Sequence, residues 1–108
     1  MNLQTIFESY EREFCEYASS IKRTVRELSA SAASVGDDGT TRRAATRKVE
    51  SDVAECEALA RRMDLEARSA MDVTAKTPML NKLRDYKSEL AKLKRDAREA
   101  SAEARRRF

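Results

Sequence analysis

The sequence predicts an all-α fold, an antiparallel up-down-up three-helix bundle with left-handed, coiled-coil-like packing. Three observations point there. Apolar residues recur in three-and-four alternation over three separate stretches, the spacing that draws one stripe along a helix. Charged residues make up 38% of the chain and aromatics 6%, a balance that suits long solvated helices and denies a sheet its β-branched and aromatic runs. The breakers are confined to the gaps: Gly36 and Gly39 share one polar stretch, and the single proline, Pro78, follows another. At 108 residues the chain can bury one modest core.

The first helix is expected over about 5–30. Thr5-x-x-Glu8 reads as a capping box, and the stripe is Leu3, Phe7, Tyr10, Phe14, Tyr17, Ile21, Thr24 and Leu28. Glu8–Arg12, Arg12–Glu16 and Arg23–Glu27 are opposite-charge pairs one turn apart, worth about 0.2–0.5 kcal/mol each. From Ala30 to Thr41 the period dissolves around Gly36-Asp37-Asp38-Gly39, which reads as a loop and the most mobile segment. The second helix is expected over about 41–70 on Val49, Val53, Cys56, Ala60, Met63, Ala67 and Ala70, flanked by Leu59. Its smaller side chains permit close approach to neighbouring helices.

Residues 71–77 lose the period again. Thr77-Pro78 then reads as N-cap and first residue of a third helix, expected over 78–98 and onward on Leu83, Tyr86, Leu90, Leu93, Ala97, Ala100 and Ala104. The bundle is placed at 1–98, with 99–108 a helix extension or frayed basic tail. A third helix this long overruns a first helix that stops near Leu28. Its last two turns are therefore expected to project, leaving Ala97, Ala100 and Ala104 exposed as a seed for self-association.

The inventory of reactive groups points away from catalysis. Histidine is absent and there are two cysteines. Cys56 lies on its helix's stripe and Cys15 one residue off its own, so they read as a small core residue and an exposed thiol, not a bridge. Without His or a Cys cluster, zinc and transition-metal sites have no ligand set, and Ser-His-Asp or Cys-His arrangements cannot form. No glycine-rich phosphate loop is present. The expectation is a non-enzymatic binding module with no cofactor and no small-molecule substrate. No apolar run approaches the roughly 20 residues that span a bilayer, and no secretory leader is seen, so the chain as given reads as soluble.

Net charge is +3, unevenly spread: −3 over residues 1–40, +1 over 41–78 and +5 over 79–108, ending in Arg105-Arg106-Arg107. A basic end can meet phosphates of RNA or lipid head groups. Asp85, Glu89, Asp96, Glu99 and Glu103 interleave with those bases, as in Lys92–Asp96 and Arg95–Glu99, so a solvated face is favoured and nucleic acid is not expected.

Three segments carry a resemblance. Phe7-Glu8-Ser9-Tyr10-Glu11-Arg12-Glu13-Phe14-Cys15 is similar to the opening "F-E-x-Y-E-R-Q-Y/F-C" of the N-terminal domain of Vti-type SNAREs. Arg61-Arg62-Met63-Asp64-Leu65-Glu66-Ala67-Arg68 resembles its "R-K-M-D-L-E-A-R", and Leu80-Asn81-Lys82-Leu83-Arg84-Asp85-Tyr86-Lys87-Ser88-Glu89-Leu90 its "L-x-x-K-L-R-x-Y/F-K-x-D/E-L". Order and spacing agree across most of residues 5–98. The resemblance implies a Qb-SNARE with an N-terminal three-helix (Habc-like) domain, then a SNARE helix and a membrane anchor. It implies fusion and sorting on the cytoplasmic face of Golgi, endosomal and vacuolar or lysosomal membranes. It also implies protein partners: the ENTH domain of an epsin-like clathrin adaptor, and other SNAREs through the SNARE motif. That motif and the anchor are not found in this chain, which is expected to be the first part of such a protein. A spectrin-like structural spacer and a basic RNA- or lipid-binding bundle are the alternatives.

Seam residues belong to the core, so recognition must use the other faces. Leu65 points away from the register of Met63, Ala67 and Ala70. It reads as ordinary surface, as a side chain packed under the 71–77 turn, or as an apolar anchor ringed by Arg61, Arg62, Asp64, Glu66 and Arg68. Arg84, Asp85 and Lys87 on the third helix extend that candidate surface. The acidic set Glu8, Glu11, Glu13 and Glu16 is a second one, suited to a basic partner.

Overall fold

The computed structural model describes residues 3–32 and 39–106. They form three helices, α1 (Leu3–Ala32), α2 (Thr40–Ser69) and α3 (Val73–Arg106), with no strand among the described residues. Contacts between the helices fix their directions. Phe14 meets Cys56, Ser20 meets Asp52, and Leu28 packs beside Ala45, so α1 and α2 run antiparallel. Glu57 pairs with Lys94 and Asp64 with Lys87, so α2 and α3 also run antiparallel. Glu11 meets Tyr86 and Leu28 packs with Ala100 and Ala104, so α1 and α3 are parallel. The bundle is up-down-up, a rod of 57 × 22 × 15 Å.

Its core is a set of seven-residue ladders. On α1, Phe7, Phe14, Ile21 and Leu28 are each no more than 1% exposed. Val49, Cys56, Met63 and Ala70 answer on α2, and Leu83, Leu90, Ala97 and Ala104 on α3. Burying each large apolar side chain contributes about 1.5–3 kcal/mol. Tyr86 sits half-buried against Phe14, with ring centroids 5.0 Å apart and planes at 49°, the tilted geometry aromatic pairs favour.

Two charged side chains are buried with the core among the described residues. Arg42 stands seven residues before Val49 and is buried, and Asp52, seven before Leu59, is buried too. The Asp52 carboxylate accepts from Ser20 Oγ at 2.7 Å and faces Lys48 Nζ at 3.2 Å, while Lys48 also donates to Ser20 Oγ at 2.8 Å. Thr24 donates back to the Ser20 carbonyl at 2.9 Å. A buried carboxylate is tolerable only with such partners.

The helix starts differ from the sequence expectation at two places, α1 and α3. α1 begins at Leu3, so Thr5 lies inside its first turn and does not cap it. α2 begins at Thr40 as expected, but the residue before it is Gly39 at φ +89°, a left-handed conformation that glycine adopts without a Cβ clash. α3 begins at Val73, not Pro78. Asp72 caps it, its Oδ1 accepting from the Thr74 amide at 2.9 Å and its carbonyl from Ala75 and Lys76. The link from α2 is only residues 70–72. The loop core 33–38 lies outside the described residues.

The projecting end of α3 is also corrected. Ala97, Ala100, Ser101 and Ala104 are all buried. α1 continues four residues past Leu28 and α2 starts at Thr40, so Leu28, Val25 and Ala45 cover the alanine stretch. Those alanines pack inside one chain and offer no exposed seam for a second copy.

Candidate interaction surface

Leu65 is 66% exposed and does not pack under the link. It lies one turn before the end of α2, on the side away from the core, where Ser69 Oγ donates to its carbonyl at 2.7 Å. One residue back, Asp64 is the hub of the surface. It accepts from Arg68 Nε at 2.9 Å and meets Lys87 Nζ on α3 at 3.5 Å. The Arg68 hydrogen bond, opposed by partial desolvation and aided by the Lys87 charge, holds the Asp64 carboxyl below the usual carboxylate range.

These contacts join part of the expected set. Arg61, Asp64, Leu65 and Arg68 share one side of α2, and Lys87 closes against them from α3. Arg84, exposed, donates to Asn81 Oδ1 at 3.4 Å on the same helix. Arg62 and Glu66 stand two residues either side of Asp64, about 200° around the helix, on its opposite flank. Asp85 is displaced by the same angle from Lys87. Of the nine residues, side-chain contacts join Asp64, Arg68 and Lys87, while Arg62, three residues before Leu65, shares its outward face.

Two apolar side chains were missed by periodicity. Met71 is 96% exposed and Val73 71%, both beside the link that follows Leu65. They sit where the three-and-four pattern breaks, so only the link's length reveals that they belong to the same end as Leu65. On α1, Glu11 of the acidic set is not free for a basic partner. It accepts from Tyr86 Oη at 2.5 Å and pairs with Lys82 at 3.6 Å. Glu8, Glu13 and Glu16 are exposed.

Ser20, Lys48 and Asp52 resemble a nucleophile–base set in residue type alone. Lys48 Nζ is engaged by both partners, the Asp52 carboxylate at 3.2 Å and Ser20 Oγ at 2.8 Å. Ser20 is buried, and the trio ties α1 to α2. Cys56 is buried and Cys15 exposed, both as free thiols. No cluster of potential metal ligands occurs among the described residues. None of the described helices is long and apolar enough to cross a membrane.

The three helices form a rod whose outer faces carry charge and a few exposed apolar side chains. Its sequence matches the model of the vesicle transport v-SNARE protein N-terminus over residues 3–101, and the chain belongs to that family. It is 38% identical over 100 residues to vesicle transport v-SNARE 12 of Arabidopsis thaliana, covering 93% of this chain and 42% of that protein. Vesicle transport v-SNARE 13 of the same plant is 34% identical over 92 residues, covering 85% of this chain and 38% of its own length. Vesicle transport v-SNARE 11 is 31% identical over 96 residues, covering 89% and 40%. The chain thus spans about two fifths of these relatives. No solved structure matches it.

Proposed function

We propose that this domain is the regulatory and sorting handle of a Vti-type SNARE in vesicle transport among Golgi, endosomes and vacuole or lysosome. It acts on the cytoplasmic face of those membranes by binding protein. Its partner is the ENTH domain of an epsin-like clathrin adaptor, while other SNAREs and the membrane are engaged through parts of the protein outside this chain. The observation that carries the reading is Leu65, an outward leucine on a surface joining two helices through Asp64 and Lys87. An apolar anchor within a charged ring is the usual anatomy of a binding hot spot.

Calorimetric titration of the domain with an epsin-family ENTH domain tests this. Leu65→Asp is expected to weaken binding about thirtyfold or more, the effect of losing a contact worth about 2 kcal/mol, with an unchanged helical spectrum. Binding that survives the substitution keeps the partner and moves the surface to the exposed acids of α1. Absence of binding at high micromolar concentration overturns the handle reading in favour of a structural spacer.

A further inference from the structure

α3 sorts its charges by side. Its acids, Asp85, Glu89, Asp96, Glu99 and Glu103, recur at three-, four- and seven-residue steps, which draws one stripe along a helix. That stripe lies towards α1, where Glu89 meets Lys22 at 3.1 Å and Asp96, Glu99 and Glu103 line a groove with Val25 and Ser29. Arg84, Lys87, Ala91, Lys94 and Arg98 make a second stripe of like spacing, without an acid, towards α2. There Lys87 meets Asp64 and Lys94 meets Glu57, each at 3.5 Å, and Arg98 lines a groove with Glu50 and Val53. These contacts hold the Glu57 and Asp64 carboxylates at the seam. Arg61, Arg84, Arg95 and Arg98 are exposed beside it, and none of the four joins an ion pair among the described residues. The neighbouring Ala54, Ser88 and Ala91 are exposed and short, so the guanidinium groups are what projects.

We propose that the α2–α3 face is a membrane-docking surface, laid against a bilayer that carries acidic phospholipid. Charge complementarity is the first argument. Exposed guanidinium groups meet a plane of phosphates, and each base near such a surface strengthens partition about fivefold. The second argument is where the face ends. Val73, two heptads before Lys87, is exposed, and Met71 beside it more so. Binding to a bilayer surface grows with buried apolar area as well as with charge, and these two side chains supply the apolar part. A straight rod meets a plane along its length, whereas a single RNA strand is held by bases stacked on aromatic rings. Tyr86, the only aromatic residue of α2 and α3, is packed against Phe14. The bilayer contact is additional to the adaptor reading and does not use Leu65.

Flotation of the domain with vesicles at physiological salt is the test. One set is phosphatidylcholine alone, and in the other about a third of the lipid is phosphatidylserine. Arg95→Glu with Arg98→Glu is compared with Arg12→Glu plus Arg23→Glu, the same charge change at exposed positions of α1. Met71→Ser with Val73→Ser removes the apolar end without adding charge. Thermal melting confirms that all variants fold. Support is binding to the acidic vesicles only, weakened about tenfold or more by the α3 pair and about fivefold or more by the apolar pair. The α1 pair, more than a screening length away, is expected to cost no more than about twofold. No binding to acidic vesicles, equal loss in the α1 and α3 pairs, or binding unchanged by the apolar pair overturns the proposal, as does tighter capture of single-stranded RNA. Its failure leaves the adaptor reading standing, because that reading is tested with a protein partner and at Leu65.

Discussion

Cys56 and Tyr86 each hold a proton beyond the ordinary range of their groups, and the packing around them explains why. Burial, followed by the charge of Asp52, pushes the Cys56 thiol up from 9.0 to about 12. Burial, then the hydrogen bond to the Glu11 carboxylate, pushes the Tyr86 hydroxyl up from 10.0. Between pH 9 and 12 the unfolded chain releases the Cys56 proton while the folded chain keeps it. Folding stability from this group is therefore complete below about pH 9 and falls as pH rises. Urea titrations at about pH 8 and pH 11 should show a loss of up to about 2–3 kcal/mol from Cys56. Cys56→Ala should flatten that slope while lowering stability at pH 8, and Tyr86→Phe should flatten it further. The burial of Cys56 was legible from its place on the stripe. Asp52 was not, because a search for apolar periodicity passes over a carboxylate, even one seven residues before Leu59. Arg42 escaped notice for the same reason.

Among the elements, the start of α3 is the instructive case. Thr77-Pro78 has the form of a helix start, yet Asp72 supplies the cap and Pro78 sits in the second turn. There the ring removes the amide that would bond to the Thr74 carbonyl, and Thr74 is exposed, so water can satisfy that oxygen. The period fails over 71–77 because the first turn of α3 presents Val73 and Thr74 to solvent, not because the helix is missing. Asp72→Ala is expected to lower stability by about 1 kcal/mol, and Pro78→Ala to raise it by about 1–3 kcal/mol. Thermal melts of the two variants check this. A neutral Asp72→Ala would return the helix start to Pro78.

At the scale of the whole molecule, the three helices and their order were legible, because each stripe persists over four or more turns. The fate of the α3 end was not, since it depended on α1 reaching Ala32 and on α2 covering Ala100 and Ala104 with Ala45. Leu28 is the large side chain of that end. Leu28→Ala should cost about 2–4 kcal/mol, and native-state amide exchange should show residues 97–106 opening before the Phe7–Phe14 end. Of the interaction surface, the outward direction of Leu65 could be read from register alone. Its companions Met71 and Val73, and the pairing of Asp64 with Lys87, required the helices to be set side by side.

An odd number of antiparallel helices has a mechanical consequence. Because α1 and α3 run the same way, residues 3 and 106 lie at opposite ends of a 57 Å rod. Tension applied through the two ends of the chain runs along the rod axis and loads the helix seams in shear, so many ladder contacts must slip together before any one helix is released. Were the bundle to yield, the same residues could extend to roughly 350 Å, several times the folded length.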